Sequence, residues 1–273
     1  MLPPLPSILA PAAVGAVVGC RQAFRLRMRR ALSWALRLAL RLRARRYVVA
    51  GHPVALVLAP HPDDDVLGCG GLIAAKRAAG VAVFVAYLTD GGASHPGHPA
   101  LTPAELVVQR AAEAREALRL LGVDPSAIQF LGFPDGELNR LGSASAAALE
   151  NALRRLLESL RPDEIFIPFR RDGSSEHEAA FVHFAAALAA SGRRPRVYEF
   201  PVWSWWNPLL LRRALFTSRR VHRFRFPGLG SVKARAIAAH ASQTRAVPPW
   251  TQPVLTGEFV EFFLQPEEFF LET

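Results

Sequence analysis

From residue 54 onward, apolar residues come in unbroken blocks, and a polar cluster follows each block. Residues 54–59, 81–88, 128–131, 164–168 and 196–200 are short runs rich in Val, Leu, Ile and Phe, bounded by turn residues. Runs of that length and composition predict strands buried on both faces. The intervening segments predict helices over residues 102–121, 145–160 and 233–243, with a further helix beginning near His177. Thr102 suits an N-cap with Pro103 at the first helical position, and Gly122 stops that helix. Residues 68–71 read as a glycine turn leading into the helix that follows the first strand. An aromatic tail over residues 258–270 closes the chain. Strand and helix alternate with short loops, which predicts an α/β fold: a single domain over residues 51–273, built on a doubly wound, mostly parallel sheet with helices on both faces.

Residues 1–50 stand apart as a basic arm. No Asp or Glu occurs before residue 63, and ten arginines lie between Arg21 and Arg46. The whole chain carries 33 Lys and Arg against 23 Asp and Glu, a formal charge of +10. Setting those ten arginines apart leaves 23 basic residues against 23 acidic ones, so the body is neutral. A neutral body argues against a nucleic-acid groove in the fold. The apolar stretch 8–19 falls short of the roughly 20 residues that span a bilayer, and no positive charge precedes it. Arginines then recur four apart (Arg21, Arg25, Arg29, then Arg37, Arg41, Arg45), with Phe24, Leu32, Trp34, Leu38 and Leu42 among them. This predicts a helix with three open uses: peripheral contact with an anionic membrane face, packing of its Leu and Trp against the domain, or an organelle transit peptide. Cys20 and Cys69 make no disulfide framework and fit a reducing compartment, so the expected location is the cytoplasm, with its membrane face as the peripheral station.

Chemistry concentrates at the end of the first strand, where Pro60-His-Pro-Asp-Asp-Asp65 follows residues 54–59. Helix capping accounts for one or two of the aspartates. It does not account for His61, or for three adjacent carboxylates that repel one another without a cation. Open α/β sheets place ligands at the carboxyl ends of their strands, and a divalent metal prefers imidazole with carboxylate. A second cluster lies between strand and helix at residues 170–178, with Asp172 and His177. His95 and His98 sit in a Gly- and Pro-rich loop, expected as a rim or lid. If these loops meet, His61, one aspartate and His177 supply three metal ligands and leave a position for water. A remaining aspartate then serves as general base. That predicts metal-assisted hydrolysis without naming the bond. Arg110 and Glu113, three apart on a helix, read as a surface ion pair. Trp203, Trp205 and Trp206 offer a sugar-stacking face, with core packing the stronger reading for at least two. Cys69 reads as a small buried residue.

Over most of residues 54–270 the chain resembles the PIG-L/LmbE-like zinc-dependent de-N-acetylases. The resemblance rests on Pro60-His-Pro-Asp-Asp-Asp65 with Gly68-Cys-Gly-Gly71, then Leu88-Thr-Asp-Gly-Gly92, Arg110-x-x-Glu113, Phe133-Pro-Asp-Gly136, Ser174-Ser-Glu-His177 and Lys233 with His240-Ala-Ser-Gln243. It implies a Rossmann-like fold and removal of an acetyl group from an N-acetylated amino sugar in a glycan, glycolipid or glycoconjugate. It assigns His61, Asp64 and His177 to Zn2+, for which another divalent ion can stand in, and Asp63 to the general base. Arg110, His95, Asp172 and Ser174 complete the expected site on the substrate side. Two departures stand out: Asp65 replaces the usual Glu, and Ser174 replaces a histidine that assists the oxyanion or leaving group. The second leaves an alternative open, a metal-containing sugar-binding member with impaired catalysis. A nucleotide-binding Rossmann enzyme is poorly supported, since residues 68–71 are not G-x-G-x-x-G and the carboxylates beside them repel a pyrophosphate.

Overall fold

The computed structural model describes residues 11–49, 51–216 and 220–273, with side chains over 27–49, 51–212 and 220–273. The side chains of the 8–19 stretch, Cys20, Arg21, Phe24 and Arg25 lie outside the described residues. The elements in chain order are α1 (Pro11–Arg43), β1 (Arg45–Arg46), β2 (Val54–Ala59), α2 (Asp64–Ala78), β3 (Ala82–Thr89), α3 (Pro103–Leu120) and β4 (Ile128–Phe133). There follow α4 (Ser143–Leu160), β5 (Glu164–Pro168), α5 (Ser175–Ser191), β6 (Arg196–Phe200), α6 (Trp203–Trp206), α7 (Pro208–Phe216) and β7 (Arg220–Arg225). The chain closes with α8 (Gly230–Ala239), α9 (Ala241–Thr244), α10 (Gly257–Val260) and β8 (Glu267–Glu272).

The described strands form one sheet in the order β1-β7-β8-β6-β5-β2-β3-β4. Strands β6, β5, β2, β3 and β4 are parallel neighbours, and β8 runs antiparallel between β6 and β7. This is the expected mostly parallel α/β sheet. Helices cover both faces, because successive strand side chains point to opposite sides. Ala55, Val57, Val83 and Val85 pack with Leu72, Ala114 and Ile237, while Leu56, Leu58 and Ala86 pack with Leu149, Leu153 and Phe184. Thr102 caps α3 through a reciprocal box with Glu105. Strand β7 escaped the apolar-run pattern because arginines alternate with its buried Val221 and Phe224.

The glycines at 68, 70 and 71 lie inside α2 rather than in a turn before it, which corrects the sequence expectation. Their function is close approach. A Cβ on Gly68 falls 2.1 Å from the Phe200 ring, and one on Gly71 falls 2.4 Å from the Phe226 ring. With no side chain there, Glu268 accepts hydrogen bonds from the backbone N–H of Gly71 (2.7 Å) and Leu72 (2.9 Å). Lys233 Nζ donates to Leu67 O (2.8 Å) and to Glu268 Oε1 (2.7 Å). Cys69 is buried between these contacts.

Helix α1 is tied to the body along one face. Ser33 Oγ donates to Trp205 O at 2.7 Å. Buried Arg37 donates to Phe262 O (3.0 Å), Glu267 O (2.8 Å) and Glu267 Oε1 (3.2 Å), and Arg41 joins it on Glu267. Among the described residues no helix is long and apolar enough to cross a membrane.

Overpacking fixes the first expected outcome. Gly71→Ala must displace the Phe226 ring, so it is expected to lower stability by about 1–3 kcal/mol in urea unfolding. Gly230→Ala, which meets open space at a helix start, changes it by less than about 0.5 kcal/mol.

Candidate active site

Parallel pairing of β2 with β5, with Ala55 opposite Glu164 and Val57 opposite Phe166, sends the loops after both strands out of one sheet edge. The loop after β2 is pinned by Thr89, whose N–H and Oγ1 both donate to Pro60 O, at 2.9 and 2.8 Å. The loop after β5 ends at Ser174, whose hydroxyl accepts from His177 N–H and caps α5. Asp64 and His177 are thereby each held in the first turn of a helix.

The loops meet on one oxygen. Asp64 Oδ2 lies 3.0 Å from His61 Nδ1 and 3.2 Å from His177 Nε2, and it also accepts the His61 backbone N–H at 3.0 Å. His177 Nδ1 lies 2.8 Å from Asp172 Oδ2. A carboxylate only accepts, so Nδ1 carries a hydrogen, and Nε2 is the nitrogen turned toward Asp64. Nε2 is buried and makes no hydrogen bond among the described residues. His61 has the same arrangement reversed, with Nε2 3.3 Å from Asp135 Oδ1 and 3.7 Å from Glu176 Oε2. His61, Asp64 and His177 therefore converge as two imidazoles and one carboxylate, their ligand atoms within 4.8 Å of one another. This donor set fits a divalent transition metal such as zinc. A second set, His61 with Asp135 and Glu176, uses the other ring nitrogen and orients the first.

The charges account for each group's acidity. Burial alone lowers His177, but Asp64 and Asp172 outweigh it and hold the ring up at about 9. Burial disfavours the Asp64 carboxylate, yet His177 and His61 keep it far below the usual carboxylate range. Burial raises Asp63, while Arg110 pulls it back and Asp64 pushes it up.

Asp63 stands beside this triad. Its Oδ2 accepts from Arg110 Nη2 at 2.9 Å, and Arg110 Nη1 donates to Gly91 O at 2.9 Å. Arg110 is thus buried in the site and makes no surface pair with Glu113. Glu113 instead accepts from Ser242 N–H (2.8 Å) and Oγ (2.7 Å). A cavity of about 230 Å³ opens here, with His61, Asp63, Asp64, Arg110, Asp135 and Trp203 in its wall. Trp205 is buried against Phe269 and Trp206 packs on Phe262, so one tryptophan of three faces the cavity.

Three residues expected on the substrate side are engaged elsewhere. Asp172 is fully buried, and accepts from the backbone N–H of Val202, Trp203 and Ser204 and from Ser204 Oγ as well as His177. Ser174 is the α5 cap. His95 stacks on Trp250 at 5.2 Å and does not line the cavity, and His98 packs on the same ring. The reading of the sequence missed the reach of Asp135, of Glu176 and of His240. Glu176 accepts from Gly136 N–H (3.2 Å) and Leu138 N–H (2.8 Å), which binds α5 to the 134–138 loop. His240 breaks the helix expected over 233–243 by leaving the helical backbone region. It is buried with neither ring nitrogen hydrogen-bonded among the described residues. Asp65 is buried with no hydrogen bond to either oxygen, and the Tyr87 hydroxyl facing it has none. Burial pushes the Asp65 carboxyl up to about 8, against the pull of Tyr87.

Asp172→Asn puts an amide against His177 Nδ1 and disturbs the tautomer. Metal affinity, read by chelator competition, is expected to fall about 10- to 100-fold. His240 supplies a pH effect. Burial, reinforced by Arg110, lowers its pKa to about 4 from an ordinary 6.5. The unfolded chain therefore binds a proton first as pH falls. Stability is full above about 6.5 and is lost progressively toward 4, by about 3 kcal/mol. Urea midpoints should fall more steeply over this window in the native protein than in His240→Gln.

A family model described as GlcNAc-PI de-N-acetylase (PIG-L) matches residues 56–189, the span that carries the triad, Asp63 and Arg110. YaiS of Escherichia coli strain K12, described as an uncharacterized deacetylase, is 24% identical over 187 residues, covering 68% of this chain and 90% of its own. Among solved structures, the conserved protein TT1542 from Thermus thermophilus is 30% identical, covers 69% of this chain and 79% of that one, and superposes with a TM-score of 0.52. The N,N'-diacetylchitobiose deacetylase from Pyrococcus horikoshii, solved with its inhibitor MPG, is 23% identical over 82% of this chain and 79% of its own, with a TM-score of 0.54. On these matches and the shared motifs, the chain belongs to the PIG-L family of de-N-acetylases.

Proposed function

We propose that the protein is a zinc-dependent N-deacetylase acting on an N-acetylglucosamine-type sugar in a glycan, glycolipid or glycoconjugate. The observation that carries this reading is Asp63, held by Arg110 in one cavity with His61 and Asp64, while fully buried His177 meets Asp64 Oδ2 at 3.2 Å. The relatives described as deacetylases support the reaction class, and the diacetylchitobiose enzyme supports an N-acetylated sugar as substrate. Cys69, free and buried, agrees with the cytoplasm as its place of work.

The ion's place is His61, Asp64 and His177, where zinc supplies Lewis acidity for water and for the acetyl carbonyl. Asp63 takes a proton from the attacking water as its oxygen bonds to the carbonyl carbon. Burial raises the Asp63 pKa, which brings a general base toward neutral pH. Arg110 occupies Oδ2 and so fixes the carboxylate's orientation. As the C–N bond breaks, Asp63 returns the proton to the leaving amine, and acetate and a free amino sugar result. Asp135 and Trp203 form the part of the wall suited to hydroxyls and to the C–H face of a sugar ring.

A second reading is favoured by one observation: the Ser174 hydroxyl oxygen caps α5 and Ser174 does not line the cavity, so this position brings no cationic donor to the reaction. It describes a sugar-binding protein with impaired catalysis. Acetate release from a panel of N-acetylglucosamine conjugates, with zinc restored after chelation, separates the two. Zinc-dependent release supports the enzyme. Sugar binding without release supports the second reading. Asp63→Asn is expected to retain stoichiometric metal and lose about 10²- to 10⁴-fold in kcat. Full activity in that variant overturns the mechanism.

A further inference from the structure

Helix α1 has two apolar faces, and the body covers one of them. Leu36 and Leu40 are buried with Ser33 and Arg37. On the other side Met28, Leu32, Leu38 and Leu42 are 54%, 46%, 55% and 81% exposed, and Ala31 and Ala35 are exposed between them. At about 100° per residue these six positions share a sector about 120° wide, which makes a continuous apolar stripe along the helix. Isolated exposed leucines are ordinary, whereas a contiguous row marks a contact surface.

Charge identifies the occupant. Arg27, Arg45 and Arg46 are exposed around the stripe and form no ion pair among the described residues. Three residues past the helix, Arg46 enters the wall of a groove of about 1150 Å³, shared with His52, Arg223 and Arg225. This groove contains none of the triad residues. Val48, 59% exposed, stands in the same wall. No acidic residue occurs before residue 63. A second copy laid on the stripe would bring arginines against arginines, and the carboxylates that the fold sets beside α1, Glu261 and Glu267, are already paired with Arg30, Arg37 and Arg41. An anionic bilayer accepts both components: leucines sink to the acyl boundary, and arginines meet lipid phosphates.

We propose that the outer face of α1, with the Arg46 groove at its foot, is a peripheral docking surface for anionic phospholipid membranes. The surface is independent of the reaction, because none of its residues lines the catalytic cavity.

The test is co-sedimentation of the full chain with vesicles of phosphatidylcholine alone or of phosphatidylcholine with phosphatidylglycerol. Binding is expected on the anionic vesicles only, and should weaken as salt screens the arginines. Leu38→Ser with Leu42→Ser is expected to cut partitioning about tenfold or more. Arg45→Gln with Arg46→Gln costs about fivefold for each arginine. Circular dichroism and urea midpoints confirm that both variants fold, since all four side chains are exposed. Equal binding to both vesicle types, or binding that neither variant weakens, overturns the proposal. So does sedimentation equilibrium showing a dimer that the double Leu variant dissolves, which would assign the stripe to a second copy.

Discussion

Asp64 Oδ2 faces His61 Nδ1 at 3.0 Å and His177 Nε2 at 3.2 Å, so a single carboxylate oxygen is shared by two rings from separate strand-end loops. Asp172 takes the hydrogen of one ring, and Asp135 faces the far nitrogen of the other. Two ring nitrogens and one carboxylate oxygen therefore point at one small volume, which a proton or a metal cation must occupy. Much of the nearby architecture keeps that arrangement in place. Asp172 is fixed by three backbone N–H groups and a hydroxyl at the start of α6, and Glu176 is fixed by the 134–138 loop. Each anchor sets the position of a residue that faces a ring, and each ring is thereby held in one tautomer.

This convergence also constrains the sheet and the end of the chain. Strands β2 and β5 must be parallel neighbours for their loops to leave together. Helix α2, which opens with Asp64, must lie close against the Phe200 and Phe226 rings. Two consecutive glutamates of the last strand complete the work: Glu268 grips the backbone of α2, and Glu267 holds Arg37 and Arg41 of α1. A strand at the extreme carboxyl end of the chain thus positions both the helix that carries a site residue and the helix at the amino end.

The parts legible in the sequence are those governed by local pattern. Strands β2, β5 and β6 coincide with their apolar runs, since burial on both faces leaves few polar interruptions. The Asp63–Asp64 and His177 segments were legible because clustered like charges have few bland explanations. Arg110 was misread as a surface pair because i,i+3 spacing says nothing about which side of a helix is buried. Asp172 was misread for a similar reason: a carboxylate near a histidine can face a substrate or hold the ring, and the difference lies in the distant N–H groups of residues 202–204. His240 was invisible, since the lack of a hydrogen-bond partner for its ring among the described residues is a property of packing alone. The glycines of α2 carry a preference for turns that tertiary contact with two phenylalanines overrides.

The path of α1 connects its outer face to the cavity. Near its middle, Trp34 packs on Phe262, Ser33 binds Trp205 O, and the Arg29 guanidinium lies 5.3 Å from the Trp206 ring centre. Those partners adjoin Trp203 and Phe259, which line the cavity at the carboxyl ends of the strands. At its other end the helix leads through Arg46 to the groove walled by Pro53 and Gly80, beside the amino ends of β2 and β3. The helix therefore runs from one sheet edge to the other. The stripe proposed for lipid contact lies on the face turned away from Ser33 and Arg37, and none of its residues lines the cavity. Arg37 and Arg41 do not serve a lipid contact, because both are tied to Glu267 within the fold. The charge available to lipid is that of Arg27, Arg45 and Arg46, which are exposed and form no ion pair among the described residues.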